Sequence, residues 1–259
     1  MIKRRLAAGE VLVGTFAALG SAVAVEAVAR AGLDFVIIDL EHGAGDESRL
    51  LELLLAAERG GAHALVRVES AVRERTTRAL DLGAEGVVCP RVDDAAAAAA
   101  WVAALRYGAG PGARGVALGT RGAGYGLAGD TVAHAREHVV GVVQIESPAA
   151  VEACEAIAAV DGVDVLFVGP QDLSFNLGVP FALDSPTYLA AVERVRAAAG
   201  RHAKACGLLV GDGATAAARR AEGWRFVAVG SDATLLAAAV AAELARARRP
   251  APATPGGSP

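Results

Sequence analysis

Residues 163–174 read VDVLFVGPQDLS. Apart from Asp164, the first six are β-branched or otherwise apolar, which suits a short strand buried on both faces. The next four, Gly169-Pro170-Gln171-Asp172, break that strand and at once present a carboxylate. Three other runs have the same form. DFVIID (34–39) opens into Leu40-Glu41-His42-Gly43, ALVRV (64–68) carries Arg67, and GVVQI (141–145) stops at Glu146. Placing a charged group where a strand leaves the core is costly unless it is paired. The strand ends of an α/β barrel are where such groups are tolerated and used.

Outward from these runs, the pattern repeats along the chain. Strands are expected at 11–16, 34–39, 64–68, 86–89, 141–145, 163–168, 206–210 and 225–229. Ala-rich segments of helical spacing lie between them, at 21–31, 46–59, 71–82, 93–106, 148–159, 187–200, 213–222 and 231–248. Strict strand–helix alternation favours a parallel sheet. Eight units in 259 residues favour a closed (β/α)8 TIM barrel, a single α/β domain over 1–249. A dinucleotide-binding sheet would need a glycine-patterned phosphate loop after its first strand. The segment AALGSAVAVEAV (17–28) lacks it. Residues 107–140 form a long Gly-rich excursion, and such connections are usually lids or binding loops. This one returns to the bottom of strand 5, so it would reach a site only over or between subunits. The Pro/Gly tail 250–259 is expected to be disordered.

Composition narrows the partners. A net charge of −4 argues against a nucleic-acid surface. Mean hydropathy is +0.40, but much of that is Ala, and no long run free of charged or turn residues marks a membrane span. The N-terminus is basic but lacks the apolar stretch and cleavage site of a secretory signal. Cys89, Cys154 and Cys206 stand apart in apolar context, as expected of reduced core residues in a cytoplasmic protein.

The polar strand ends suggest chemistry. Glu146 and Asp172 close consecutive strands, so they should converge, and two carboxylates plus waters suit Mg²⁺ or Mn²⁺. Either residue alone would read as a solvated loop carboxylate. His42 follows strand 2 beside Asp39, and an imidazole can move a proton at physiological pH. Arg67 either pairs with a carboxylate to hold the barrel or binds an oxyanion. Asp81 ends the third helix. It could reach a catalytic His only across a subunit boundary or through a further fold of the chain.

Several motifs fail. Gly124-Tyr125-Gly126-Leu127-Ala128-Gly129 matches a dinucleotide fingerprint by letter, but no strand precedes it. A Schiff-base aldolase needs a lysine at a barrel strand end. The two lysines, Lys3 and Lys204, lie before strands 1 and 7, at the wrong face.

DFVIIDLEHG, LVRV, ALDLGAEGVVCPRV, GARG, VVQIES, GVDVLFVGPQDLS and RFVAVGSD follow one another in this order. From about Gly14 to Leu236 the chain thereby resembles the HpcH/HpaI aldolase family of metal-dependent pyruvate aldolases. The 4-hydroxy-2-oxoheptanedioate and 2-dehydro-3-deoxyglucarate aldolases are the most similar branch. The resemblance implies a class II aldolase that splits 4-hydroxy-2-oxo acids into pyruvate and an aldehyde through a metal-stabilised enolate. It implies Mg²⁺, Mn²⁺ or Co²⁺ on Glu146 and Asp172, and His42 as base supported by Asp39 and Asp81. Arg67 would bind the enolate and Gln144 would lie near the pyruvate. The backbone of Gly169, Pro170, Gln171 and Asp172 would hold the carboxylate. It further implies a homohexamer, a trimer of dimers, with the last helix exchanged between subunits. RVES (67–70) and the Gly-rich 107–115 segment depart from the family pattern and leave the aldehyde open. Two alternatives remain. One is an acyl-CoA lyase of the citramalyl- or malyl-CoA type, for which only Arg114 and Arg121 could mark a nucleotide surface. The other is a non-catalytic barrel that binds a 2-oxo acid.

Overall fold

All eight apolar runs become strands, each within two residues of its expected bounds. They are β1 (Leu12–Ala17), β2 (Phe35–Asp39), β3 (His63–Arg67), β4 (Gly86–Cys89), β5 (Val140–Ile145), β6 (Val165–Val168), β7 (Ala205–Val210) and β8 (Phe226–Ser231). Each pairs in parallel with the next, and β8 closes onto β1. The computed structural model describes residues 1–108, 112–127 and 129–249; the expected tail at 250–259 lies outside them.

The helices, in chain order, are α1 (Ile2–Ala7), α2 (Ala22–Arg30), α3 (Leu50–Gly60), α4 (Arg73–Asp81), α5 (Ala95–Leu105) and α6 (Thr131–His138). They continue with α7 (Pro148–Ala158), α8 (Pro170–Asn176), α9 (Pro186–Arg201), α10 (Gly213–Ala221) and α11 (Asp232–Ala247). Seven start at a Ser or Asp whose side chain accepts a first-turn N–H: Ser21, Asp94, Asp130, Ser147, Ser185, Asp212 and Ser231. Such caps contribute about 1 kcal/mol each. Helices α1, α6 and α8 are additional to the eight expected. Each is too short for helical periodicity to declare itself.

Two apolar layers build the barrel. Val36, Ile38, Val66, Val87, Val143 and Leu166 face outward under the helices. Phe35, Ile37, Leu65, Val142, Phe167 and Phe226 fill the interior. Phe35 stacks on Phe226 with centroids 3.9 Å apart, and Phe167 meets Phe226 edge-on at 6.1 Å. Gly14 permits this, because a Cβ there would lie 2.4 Å from the Phe35 ring. Each fully buried Phe contributes about 1.5–3 kcal/mol.

Helix α1 plugs the bottom. Ile2 and Leu6 join the interior cluster. Lys3 reaches Asp164 at 3.2 Å and Arg5 reaches Asp34 at 2.8 Å. These aspartates precede β6 and β2, on opposite sides of the barrel. Each also accepts a backbone N–H from the preceding strand at 2.9 Å, Asp164 from Gly141 and Asp34 from Val13.

The described part of the 107–140 excursion packs beside this plug. Arg121 donates to the Leu82 carbonyl at 3.2 Å, and Val139 accepts from Lys3 at 3.0 Å. In its own chain it stays on the bottom side. Helix α11 behaves differently from the other long helices. Asp232 is its one buried residue and ties it down, accepting the Ala18 N–H at 2.7 Å. Beyond it Leu236, Val240 and Leu244 stand 58%, 59% and 45% exposed. Among the described residues no helix is long and apolar enough to cross a membrane.

Candidate active site

Strand alternation assembles the site. Phe35 and Ile37 point into the barrel, so Asp39 does too; Leu65 leads to Arg67 in the same way. On β5 the inward series is Val140, Val142, then Gln144 and Glu146. The interior thus turns from apolar to polar over its last layer, at the C-terminal mouth.

Asp39 and Arg67 are register partners across β2 and β3. That alignment permits a two-pronged pair, with Arg67 Nε 2.9 Å from Oδ1 and Nη2 2.6 Å from Oδ2 of Asp39. Asp39 is only 4% exposed, and the same Oδ1 accepts the N–H groups of Glu41 and His42 at 3.1 and 3.2 Å. Asp39 therefore acts on His42 through the backbone of the turn rather than through the ring. The ring is largely exposed, with Nε2 3.9 Å from Glu41 Oε1. Glu41 also pairs with Arg67 at 3.3 Å. The guanidinium lies 4.9 Å above the Phe16 ring. Arg67 thus does both things its position allowed. It is paired, and it faces the cavity.

Glu146 is 5% exposed. Its Oε1 accepts the Arg91 N–H at 2.8 Å and its Oε2 accepts Gln144 Nε2 at 3.0 Å. Burial pushes its carboxyl above the usual range. The Arg91 N–H opposes that shift, while the charges of Asp172 and Glu41 reinforce it. Gly169 lets the two strand ends close up, since a Cβ there would lie 2.7 Å from Glu146 Oε2. Pro170 then opens α8 at its first position, and Asp172 stands in the first turn.

These residues fit a divalent cation. The charge of Asp172 adds to the burial that raises Glu146, so a cation between the two carboxylates would relieve Glu146. Gln144 Oε1 is buried without a partner and needs a donor, which a water or ligand would supply. Among the described residues no three His, Cys, Asp or Glu side chains are grouped to hold a metal. Two carboxylates completed by water and substrate oxygens is the arrangement Mg²⁺ prefers.

A cavity of about 930 Å³ opens over these groups, lined by His42, Arg67, Gln144, Gly169, Pro170, Gln171 and Asp172 among others. The structure thus brings together every expected site residue except Asp81. Asp81 lies at the far end of α4 and pairs with Arg114 at 3.0 Å. Sequence reasoning missed Glu41, although it stands between Asp39 and His42. It also missed the Arg91 N–H, presented from a left-handed backbone (φ 53°), and Asn176, which donates to the Glu146 carbonyl at 2.8 Å. Cys89 offers no nucleophile, because burial pushes its thiol up to about 12.

A closed (β/α)8 barrel with an Arg, a His and converging carboxylates at its C-terminal mouth defines the class. The profile of the HpcH/HpaI aldolase/citrate lyase family matches residues 12–239. The hydroxypyruvate/pyruvate aldolase of Paraburkholderia phytofirmans is 38% identical over 89% of this chain and 91% of its own. The 5-keto-4-deoxy-D-glucarate aldolase of Klebsiella pneumoniae is 36% identical over 89% of this chain and 90% of its own. The crystal structure of an HpcH/HpaI aldolase/citrate lyase family protein from Burkholderia cenocepacia superposes with a TM-score of 0.92. It shares 35% identity and covers 96% of this chain and 99% of the other. The chain belongs to the HpcH/HpaI aldolase/citrate lyase family, as its motifs had indicated.

Proposed function

We propose that the chain is a metal-dependent aldehyde-lyase that cleaves 4-hydroxy-2-oxo acids to pyruvate and an aldehyde, and catalyses the reverse condensation. The observation that carries this reading is the buried Glu146, on which the charge of Asp172 acts, set behind Gln144 in the cavity that Arg67 and Asp172 line. A divalent cation on the two carboxylates would supply Lewis-acid stabilisation of charge on the 2-oxo acid. The chain's own residues do the rest. His42 takes the proton of the 4-hydroxyl group. The C3–C4 bond breaks, the aldehyde leaves, and the electron pair passes to the enolate of pyruvate. Arg67, held flat by Asp39, sets a fixed positive charge where the enolate oxygen becomes negative. Protonation at C3 then gives pyruvate. Gln144 and the backbone of Gly169, Pro170, Gln171 and Asp172 orient the 2-oxo acid.

The test is pyruvate release over a panel of 4-hydroxy-2-oxo acids, with and without Mg²⁺, Mn²⁺ or Co²⁺. Full activity in excess EDTA, or a borohydride-trapped lysine adduct, would overturn the reading. Cleavage of an acyl-CoA thioester in preference to the panel would favour the CoA-lyase alternative.

We further infer a homohexamer, a trimer of dimers, acting in the cytoplasm. The bare apolar side chains of α11 support exchange of that helix with a neighbour. Asp81 and the 107–140 segment would then lie near a neighbouring subunit's His42. An active monomer by light scattering at assay concentration would refute this.

A further inference from the structure

We propose that Phe181 sets the acceptor range of this site. It walls an apolar half of the cavity that receives the aldehyde's substituent, so alkyl and aryl aldehydes are favoured over short polyhydroxylated ones. This rests on the aldol reading and names its substrate class.

The cavity has two unlike halves. His42, Arg67, Gln144 and Asp172 line the half over the barrel axis. Phe181, Leu183, Tyr188, Leu189, Leu208 and Leu209 line the half between the α8–α9 connection and β7. The 2-oxo acid needs the first half only. The second belongs to the same cavity, which leaves it free to take the rest of the substrate. Two charged residues reach this half. Arg219 is engaged by Glu222 at 2.9 Å, and Asp184 would repel an acceptor carrying a carboxylate.

Phe181 is unusual in both backbone and side chain. Its φ is +59°, a left-handed conformation that is strained for a bulky residue. What holds it is specific. The buried Ser174 hydroxyl accepts the Phe181 N–H at 3.1 Å and donates to the Gln171 carbonyl at 2.8 Å. The ring rests edge-on against Phe175 at 5.7 Å. Ser174 thereby ties the apolar wall to the turn that orients the 2-oxo acid. A strained, exposed aromatic ring fixed relative to the donor half is accounted for if an acceptor covers it.

The experiment compares condensation of pyruvate with hexanal and with glyceraldehyde in the wild type and in Phe181→Asn. Asparagine suits the left-handed backbone, so the variant should melt no lower than the wild type. The wild type should show the higher kcat/KM with hexanal. The hexanal-to-glyceraldehyde ratio should fall by roughly tenfold or more in the variant. An equal fall for both aldehydes, an unchanged ratio, or a change in oligomer mass with no change in ratio would overturn the proposal. The last outcome would make Phe181 a contact with a second copy. Exchange of pyruvate methyl protons in D₂O separates the two levels. Its absence in the wild type would defeat the aldol reading itself. Its presence with no hexanal preference would defeat only the role of Phe181.

Discussion

The two ends of the barrel both hold carboxylates, but they balance them differently. At the bottom, Asp34 and Asp164 each receive one strand N–H and one cation from α1. Glu85 likewise meets His63 at 2.7 Å. At the mouth, one guanidinium faces Asp39 and Glu41, while the charge of Asp172 bears on the buried Glu146. The carboxylates of the bottom plug are each paired as they stand. The mouth carries surplus negative charge and an unanswered Gln144 oxygen, which marks it as the end built to receive something.

Breaking the mouth should give the largest effects. Glu146→Ala or Asp172→Ala should abolish metal binding by calorimetry and reduce aldol cleavage to background, as should chelation of the wild type. His42→Ala should lower turnover by roughly 10²–10⁴-fold while metal binding and the melting temperature hold. Retained turnover would assign the base elsewhere. Arg67→Lys should also fail, because an ammonium cannot reproduce the fork that grips Asp39.

Much of this end was legible because strands are read with period two. An apolar run that ends in a charged residue both locates the strand and points the charge. Asp39, Arg67 and Glu146 stand at such strand ends, whereas Gln144 is legible only through the family resemblance. Residues acting through backbone were not, because the left-handed N–H of Arg91 has no side-chain signature. Helix α8 is not legible, since GPQDLS is too short to show a helical stripe. The bottom plug was illegible for a related reason. Lys3 and Arg5 look like any basic N-terminus until Asp34 and Asp164 are placed opposite each other. Asp81 shows the limit of one chain. Its partner here is Arg114, and nothing in the strand pattern says what lies across a subunit boundary.

A cut at the bottom should sharpen the contrast by affecting stability and sparing chemistry. Asp164→Ala removes the acceptor for the Gly141 N–H and the partner of Lys3. Leaving a part-buried donor unmet costs about 1–3 kcal/mol. The melting temperature should therefore fall by several degrees, while kcat per folded molecule stays at the wild-type value. A change in kcat or in metal affinity without a loss of stability would mean that the two ends are coupled, and the contrast between them would fail.

The smallest effect, and the most discriminating, is expected of Glu146→Gln in metal-free protein. Burial raises this carboxyl above its ordinary 4.5, so the folded state holds the proton more tightly than the unfolded state does. The stability this adds is fully present below 4.5 and is lost as pH rises through the folded value. At neutral pH the ionised side chain is thus a net burden on the apo fold. Glutamine removes the charge and its Oε1 can still accept from Arg91. Gln144 can turn its amide to present the oxygen that lacks a partner to the new NH₂ group. In EDTA at about pH 8 the variant should melt higher than the wild type, by about 1–4 °C. The gap should close as pH falls towards the ordinary carboxylate range. Excess Mg²⁺ should narrow it from the other side, because only the wild type gains stability by binding. A lower melting temperature for the variant in EDTA at the same pH would mean that Glu146 is already compensated within the chain. The mouth would then be as balanced as the bottom, and the case for a cation there would lose its physical basis.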